Sequence, residues 1–183
     1  MYPPSVQKLI GLFLRFPGIG PRQAARFAFY LLGEERKTAQ ALAEILKTLH
    51  DQVGFCGKCY VSAERGSDAN ALVCRNCRDK ARNDAHIMVV EKEADFINIE
   101  KTKRFSGVYH ILNGTIDPLD SAAPARLHVP QLFQRVESLK KEGQEVEIIL
   151  ATNATTDGDA TARYLPDEPK MNNRRQNRRL FIS

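Results

Sequence analysis

All four cysteines of the chain fall in one stretch, as Cys56-Gly-Lys-Cys59 and, fourteen residues further on, Cys74-Arg-Asn-Cys77. A Cys-x-x-Cys spacing lets two thiolates reach one ion from a single tight turn. Four thiolates close a tetrahedral structural zinc site with no position left for water. The gap is slightly shorter than is usual for this pattern, but a short ribbon or hairpin closes it. Lys58, Arg75 and Arg78 stand beside the ligands and offset the negative charge of four thiolates on a divalent ion. Two other readings fit less well. A disulfide framework suits a small secreted domain, and a redox Cys-x-x-Cys needs no second pair.

A second set of residues has the chemistry of phosphate binding. In Phe16-Pro-Gly-Ile-Gly-Pro21 the glycines Gly18 and Gly20 let the backbone approach an anion closely. The N–H groups at the start of the helix that follows point outward with favourable dipole charge. Arg22 and Arg26, four residues apart, share one helix face and can clamp consecutive phosphates. Such contacts hold a nucleic-acid backbone and carry no sequence information. The plainer alternative is a helical hairpin with solvated arginines. A third set is acidic: Glu91, at the end of an apolar β-prone run, and Asp157 and Asp159 of Asp157-Gly-Asp159. Three carboxylates in one place need a basic partner or a divalent cation, and oxygen ligands of this kind suit Mg²⁺. Taken alone the trio is a weak signal, since solvated loop carboxylates are the ordinary case.

The elements that must position these residues follow from the hydrophobic pattern. Val6, Leu9, Ile10, Phe13 and Leu14 recur at helical spacing over 5–15. Pro17 ends that helix and Pro21 opens the next, lined by Ala24, Ala25, Phe27, Ala28, Leu31 and Leu32. A third helix is expected over 38–53, with Leu42, Ile45, Leu46, Leu49 and Val53 as its core stripe and His50 at its surface. After the cysteines, strands at 86–90, 108–112 and 145–151 alternate with helices at 93–103 and 130–142. Residues 153–159 are expected to be a loop and 160–165 the start of a helix. Alternation of this kind implies parallel βαβ units, whose functional groups gather at the carboxyl ends of the strands. Glu91, Asp157 and Asp159 can therefore converge.

In this order the chain resembles the RecR family of bacterial recombination mediators. The resemblance covers about residues 5–165. Its most specific pieces are Phe16-Pro-Gly-Ile-Gly-Pro-Arg-Gln-Ala-Ala-Arg26, Val89-Val-Glu-Lys-Glu-Ala-Asp95, Phe105-Ser-Gly-Val-Tyr-His110, and Ile149-Leu-Ala-Thr-Asn153 through Asp157-Gly-Asp-Ala-Thr-Ala162. It implies an α+β protein of several modules: a helix-hairpin-helix DNA-binding domain (1–54), a four-cysteine zinc finger (55–80) with Cys56, Cys59, Cys74 and Cys77 as ligands, and an α/β Toprim domain (81–165). It further implies a non-enzymatic, cytoplasmic, nucleoid-associated DNA-repair protein. Such a protein acts with RecO, and often RecF, to load recombinase at single-stranded gaps, and it assembles as a ring-shaped tetramer. Gly18, Gly20, Arg22 and Arg26 then fall at the DNA-binding positions. Glu91, Asp157 and Asp159 fall at the Toprim acidic positions, in a region also used for RecO. The alternative is a Mg²⁺-dependent Toprim enzyme, a nuclease or primase-like polymerase, although no nucleophile stands in a recognisable catalytic setting.

One departure concerns residues 166–183. Where the family continues through another strand, this chain has Pro166-Asp-Glu-Pro-Lys and a polar basic run to Ser183. It reads as a truncated or frameshifted end and a basic, disordered tail without a buried strand, which bears on the tetramer. Charge follows the same division. Net charge is +5, with +3 in residues 1–55, −1 in 56–165 and +3 in 166–183. Basic ends suit a nucleic-acid partner. A hydrophobic fraction of 43% excludes global disorder, and no run approaches the length of a transmembrane helix.

Overall fold

Contacts divide the chain into two units, Met1–Gln52 and Val53–Ser183. The computed structural model describes residues 2–66, 72–117, 119–120, 122–167 and 177–182, the last six and residues 166–167 by their backbone alone.

The first unit is helical: α1 (Pro4–Phe13), α2 (Pro21–Gly33) and α3 (Arg36–Gln52). Prolines in the first turns of α1 and α2 fit where an N–H has no intrahelical acceptor. Val6, Ala24 and Ala28 are the buried side chains of α1 and α2, and Phe13 meets Phe27 edge to face at 5.6 Å. The expected core stripe of α3 is not buried. Leu42, Ile45, Leu46 and Leu49 are 40–60% exposed, and no residue of α3 is buried. Its helical period reads correctly from the sequence, but one copy of this unit has no layer to cover it.

The second unit begins with a ribbon, β1 (Val53–Phe55) and β2 (Ser62–Glu64), and the short helix α4 (Arg75–Arg78). It continues through β3 (Asn83–Val90), α5 (Glu93–Lys101), β4 (Gly107–Ile111), α6 (Ala123–Arg126), α7 (Val129–Lys141), β5 (Glu147–Asn153), α8 (Thr156–Asp167) and β6 (Asn177–Ile182). The sheet runs β4-β3-β5-β6 with every neighbour parallel. Each face has its own cover. Ile87, Val89, Val108, Ile148 and Leu150 pack with Val129, Leu132, Phe133 and Val136 of α7 and Ala162 and Leu165 of α8. Met88, Val90, Tyr109, Ile111 and Ala151 pack instead with the four cysteines and Val61, flanked by Phe96 and Ile99 of α5. The cysteine ribbon is thus a layer of the α/β unit rather than a separate body. Just past α7 stands Gly143, whose φ of +78° suits glycine. Its N–H bonds Lys140 O at 3.0 Å, and Gln144 N–H bonds Leu139 O at 3.0 Å.

Two expectations are corrected here. Asn177–Ile182 form β6, paired with Ile148 to Asn153 of β5, so this part of the tail extends the sheet. The two prolines lie before β6 and not within it, and Leu180, Phe181 and Ile182 favour strand. An edge position also tolerates flanking arginines. Residues 168–176 and 183 of that tail lie outside the described residues. The second correction is the expected loop at 153–159. Helix α8 already starts at Thr156, because Thr155 caps it. Its Oγ1 accepts from Gly158 N–H at 3.1 Å, and Asp157 and Asp159 occupy the favourable first turn.

Candidate functional site

The two Cys-x-x-Cys turns close on each other. The four sulfurs lie within 4.8 Å of one another and all four cysteines are buried. Cys59 Sγ is 3.5 Å from Cys74 Sγ, and Cys74 N–H donates to Cys56 Sγ at 3.3 Å. For a metal–sulfur bond of about 2.3 Å, a tetrahedron has edges of about 3.8 Å, so the spacing fits one central ion. Hydrogen bonds from Cys59, Cys74 and Cys77 hold the Cys56 thiol far below its ordinary range. The bond to Cys56 pushes the Cys59 and Cys77 thiols far above it. A cation bound at the centre would displace the protons that remain on these thiols. The cysteines are free of disulfides, and the cluster can hold a metal ion.

The first knuckle is tied to the sheet. Ile111 N–H donates to Cys59 O at 2.9 Å. Arg135 Nη1 of α7 bridges Lys58 O at 3.2 Å and Tyr109 O at 2.9 Å. Tyr60 takes a φ of +66° and stacks on His128 with centroids 3.8 Å apart. His110 lies beneath, its Nε2 2.8 Å from His128 O, and burial drives its pKa down to about 3. Ser62 N–H donates to Glu93 Oε1 at 3.1 Å. None of these contacts was legible beforehand: Tyr60, His110 and Arg135 carry no spacing signal.

The acidic trio is not gathered. Glu91 is 2% exposed at the end of β3. Its Oε1 accepts Asn153 N–H at 2.9 Å and its Oε2 accepts the Asn153 side-chain amide. This bond lies between the carboxyl ends of β3 and β5, where the order of the sheet reverses. Gly158 is needed beside it: a Cβ there would stand 2.2 Å from Asn153 O and 2.7 Å from Glu91 Oε1. Asp157 is exposed, and Asp159 pairs with Arg163 at 2.7 Å. Among the described residues the cysteines are the one set of three or more ligand groups this close together. Glu91 spends both oxygens on the protein's own amides and shares no close ligand set with Asp157 and Asp159.

In the helical unit Gly18 takes a φ of +77° in the turn between α1 and α2. Gly20 is the N-cap of α2, extended and without a side-chain cap. The N–H groups of Arg22 and Gln23 therefore face outward. Gly20, Pro21, Arg22, Gln23 and Arg26 line a recess of about 370 Å³. Arg22 and Arg26 are exposed. Of the four residues expected at a phosphate site, Gly20, Arg22 and Arg26 line this recess, and Gly18 shapes the turn before it. Among the described residues no helix is long and apolar enough to cross a membrane.

Comparison with known proteins places these modules. Residues 6–50 match the family model described as RecR, helix-hairpin-helix, and residues 85–180 match the Toprim domain. The chain is 41% identical to Recombination protein RecR of Cutibacterium acnes over 90% of its length and 77% of the relative's. Those of Leifsonia xyli and Thermobifida fusca are also 41% identical, over 90% of this chain and 78% of theirs.

Proposed function

The chain belongs to the RecR family of recombination proteins, and on that premise we propose that it is a non-enzymatic DNA-binding mediator. In this reading it acts in the cytoplasm, at the nucleoid, in recombinational repair. It works with RecO, and with RecF, to load recombinase at single-stranded gaps. The observation that carries DNA binding is the open turn of α2. Gly18 and Gly20 leave uncapped amides beside two exposed guanidinium groups, a donor set for consecutive phosphates. The cysteine cluster holds Zn²⁺, with Cys56, Cys59, Cys74 and Cys77 as ligands. Four thiolates give the ion a closed shell, so its role is to hold the ribbon on the sheet. Asp157 and Asp159 present charge to the partner protein. Glu91 holds the end of the preceding strand through Asn153. A Mg²⁺-dependent enzyme would also use Glu91, as a ligand or in proton transfer, and here both of its oxygens are held by Asn153. The division of labour between Glu91 and the two aspartates favours docking instead.

The test is salt-dependent DNA binding. Replacing Arg22 and Arg26 together by Ala should weaken binding uniformly across sequences. It should also make the slope of log Kobs against log salt shallower by about 2, one step of about 0.9 per lost phosphate contact. An unchanged slope and affinity would show that the hairpin is only a scaffold.

A further inference from the structure

Beside the amides and arginines the helical unit carries a groove. Between α1 and α2 lies a space of about 640 Å³ walled by Ile10, Gly11 and Leu14 on one side and Ala25 and Phe29 on the other. Tyr2 closes one end, its ring edge to face with Phe29 at 5.2 Å. Arg22 and Arg26 line the same groove. Neither has an ion-pair partner among the described residues.

Gly11 is the telling residue. It sits inside α1, where glycine weakens the helix relative to alanine. The place of its missing Cβ has no atom within 4 Å. Nothing in the unit packs there, so the fold has no use for the small residue, whereas the groove is wider for it. The walls are apolar and aromatic, and the cations lie along one side. A nucleobase matches this arrangement: flat, apolar on its faces, and joined through its sugar to a phosphate on either side. In a duplex those faces are hidden in the stack, leaving the backbone and the base edges. An apolar segment of a second copy would fill the walls but bring no anions to the arginines.

We infer that this groove receives an unstacked base of single-stranded DNA, with Arg22 and Arg26 holding the flanking phosphates. The inference rests on the DNA-binding reading and narrows it to a strand class: duplex can use the arginines and amides, but single strands use the groove as well. Stacking of a base on aromatic and apolar side chains adds affinity that only a strand with unstacked bases can use.

The variant Gly11→Leu tests it, because leucine fills the groove, leaves the hairpin untouched and strengthens α1. Fluorescence anisotropy of the full metal-bound chain would use a thymidine oligonucleotide and a blunt duplex of equal length, at one salt concentration. Light scattering would report the mass of the assembly. The expected result is about a tenfold loss of single-strand affinity, equivalent to about 1.4 kcal/mol, with duplex affinity and mass unchanged. A 2-aminopurine placed in the single strand should change its emission on binding the unaltered chain and much less with Gly11→Leu. Equal loss on both DNAs, or no loss on either, overturns the groove while leaving the arginine clamp standing. A changed mass makes the groove a contact between copies and overturns it too. Binding of neither DNA by the unaltered chain removes the DNA-binding reading and the inference with it.

Discussion

Gly158 has no room for a side chain, and the reason is a carboxylate. Any Cβ there would press on Asn153 O and Glu91 Oε1, so Gly158→Ala should destabilise the α/β unit by about 1–3 kcal/mol, read from urea midpoints. Glu91→Ala should cost a similar amount, because it strands the half-buried Asn153 N–H. If Glu91→Ala leaves stability unchanged, the residue is not the tether described above. His110 adds a pH dependence. Burial first, with the charge of Arg135 adding to it, sets its folded pKa at about 3, well below the ordinary value of 6.5. Between those two values the unfolded chain binds a proton that the native state refuses. Stability therefore falls as pH is lowered through this window, by up to about 1.4 kcal/mol per unit. Replacing His110 by Gln should remove that part of the slope, measured as the difference between the two proteins at pH 7, 5 and 4. At this scale the cysteines were legible from spacing, since their chemistry demands it. Glu91 was legible as a position but not in its role, because hydrogen bonds to a residue 62 positions away leave no mark on local pattern.

Among the elements, the cysteine ribbon changes meaning most. The sequence isolates it between two other modules, whereas the structure makes it the cover of one sheet face, sharing a core with Met88, Val90, Tyr109 and Ile111. Removing the metal should therefore loosen more than the knuckles. After chelation, amide exchange should accelerate at Ile111, whose N–H bonds Cys59 O. The α/β unit should also melt at lower temperature in one transition. If only residues 53–64 and 72–78 lose protection, ribbon and sheet are energetically separate. Helices and central strands were legible because amphipathic period and β-branched runs are local signals. The start of α8 was legible too, in Thr155 followed by Asp157 and Asp159, but the neighbouring glycine and asparagine read more strongly as a loop. β6 was hidden by the prolines that precede it, and its pairing with β5 depends on the sheet as a whole.

At the scale of the molecule, the helical unit does not complete its own interior. Leu32, Ile45 and Leu46 are 58–68% exposed, and the stripe on α3 has the regular period of a buried face. Scattered exposed apolar residues are ordinary, but a contiguous stripe marks a contact surface. Among the described residues this stripe is a surface suited to meet another copy, as the ring expected from the family resemblance would require. Placing charge on it should then lower the assembled mass without touching the metal or the hairpin. In light scattering, Ile45→Glu with Leu46→Glu should give a smaller species than the unaltered chain. Its zinc content should stay the same, because the ligands lie in the other unit. DNA affinity should fall with the mass if several hairpins grip one DNA together, since linked sites gain effective concentration that a lone site lacks. An unchanged mass would mean that copies meet elsewhere, for instance along the edge strand β6. A smaller species with full DNA affinity would mean that each hairpin binds DNA on its own.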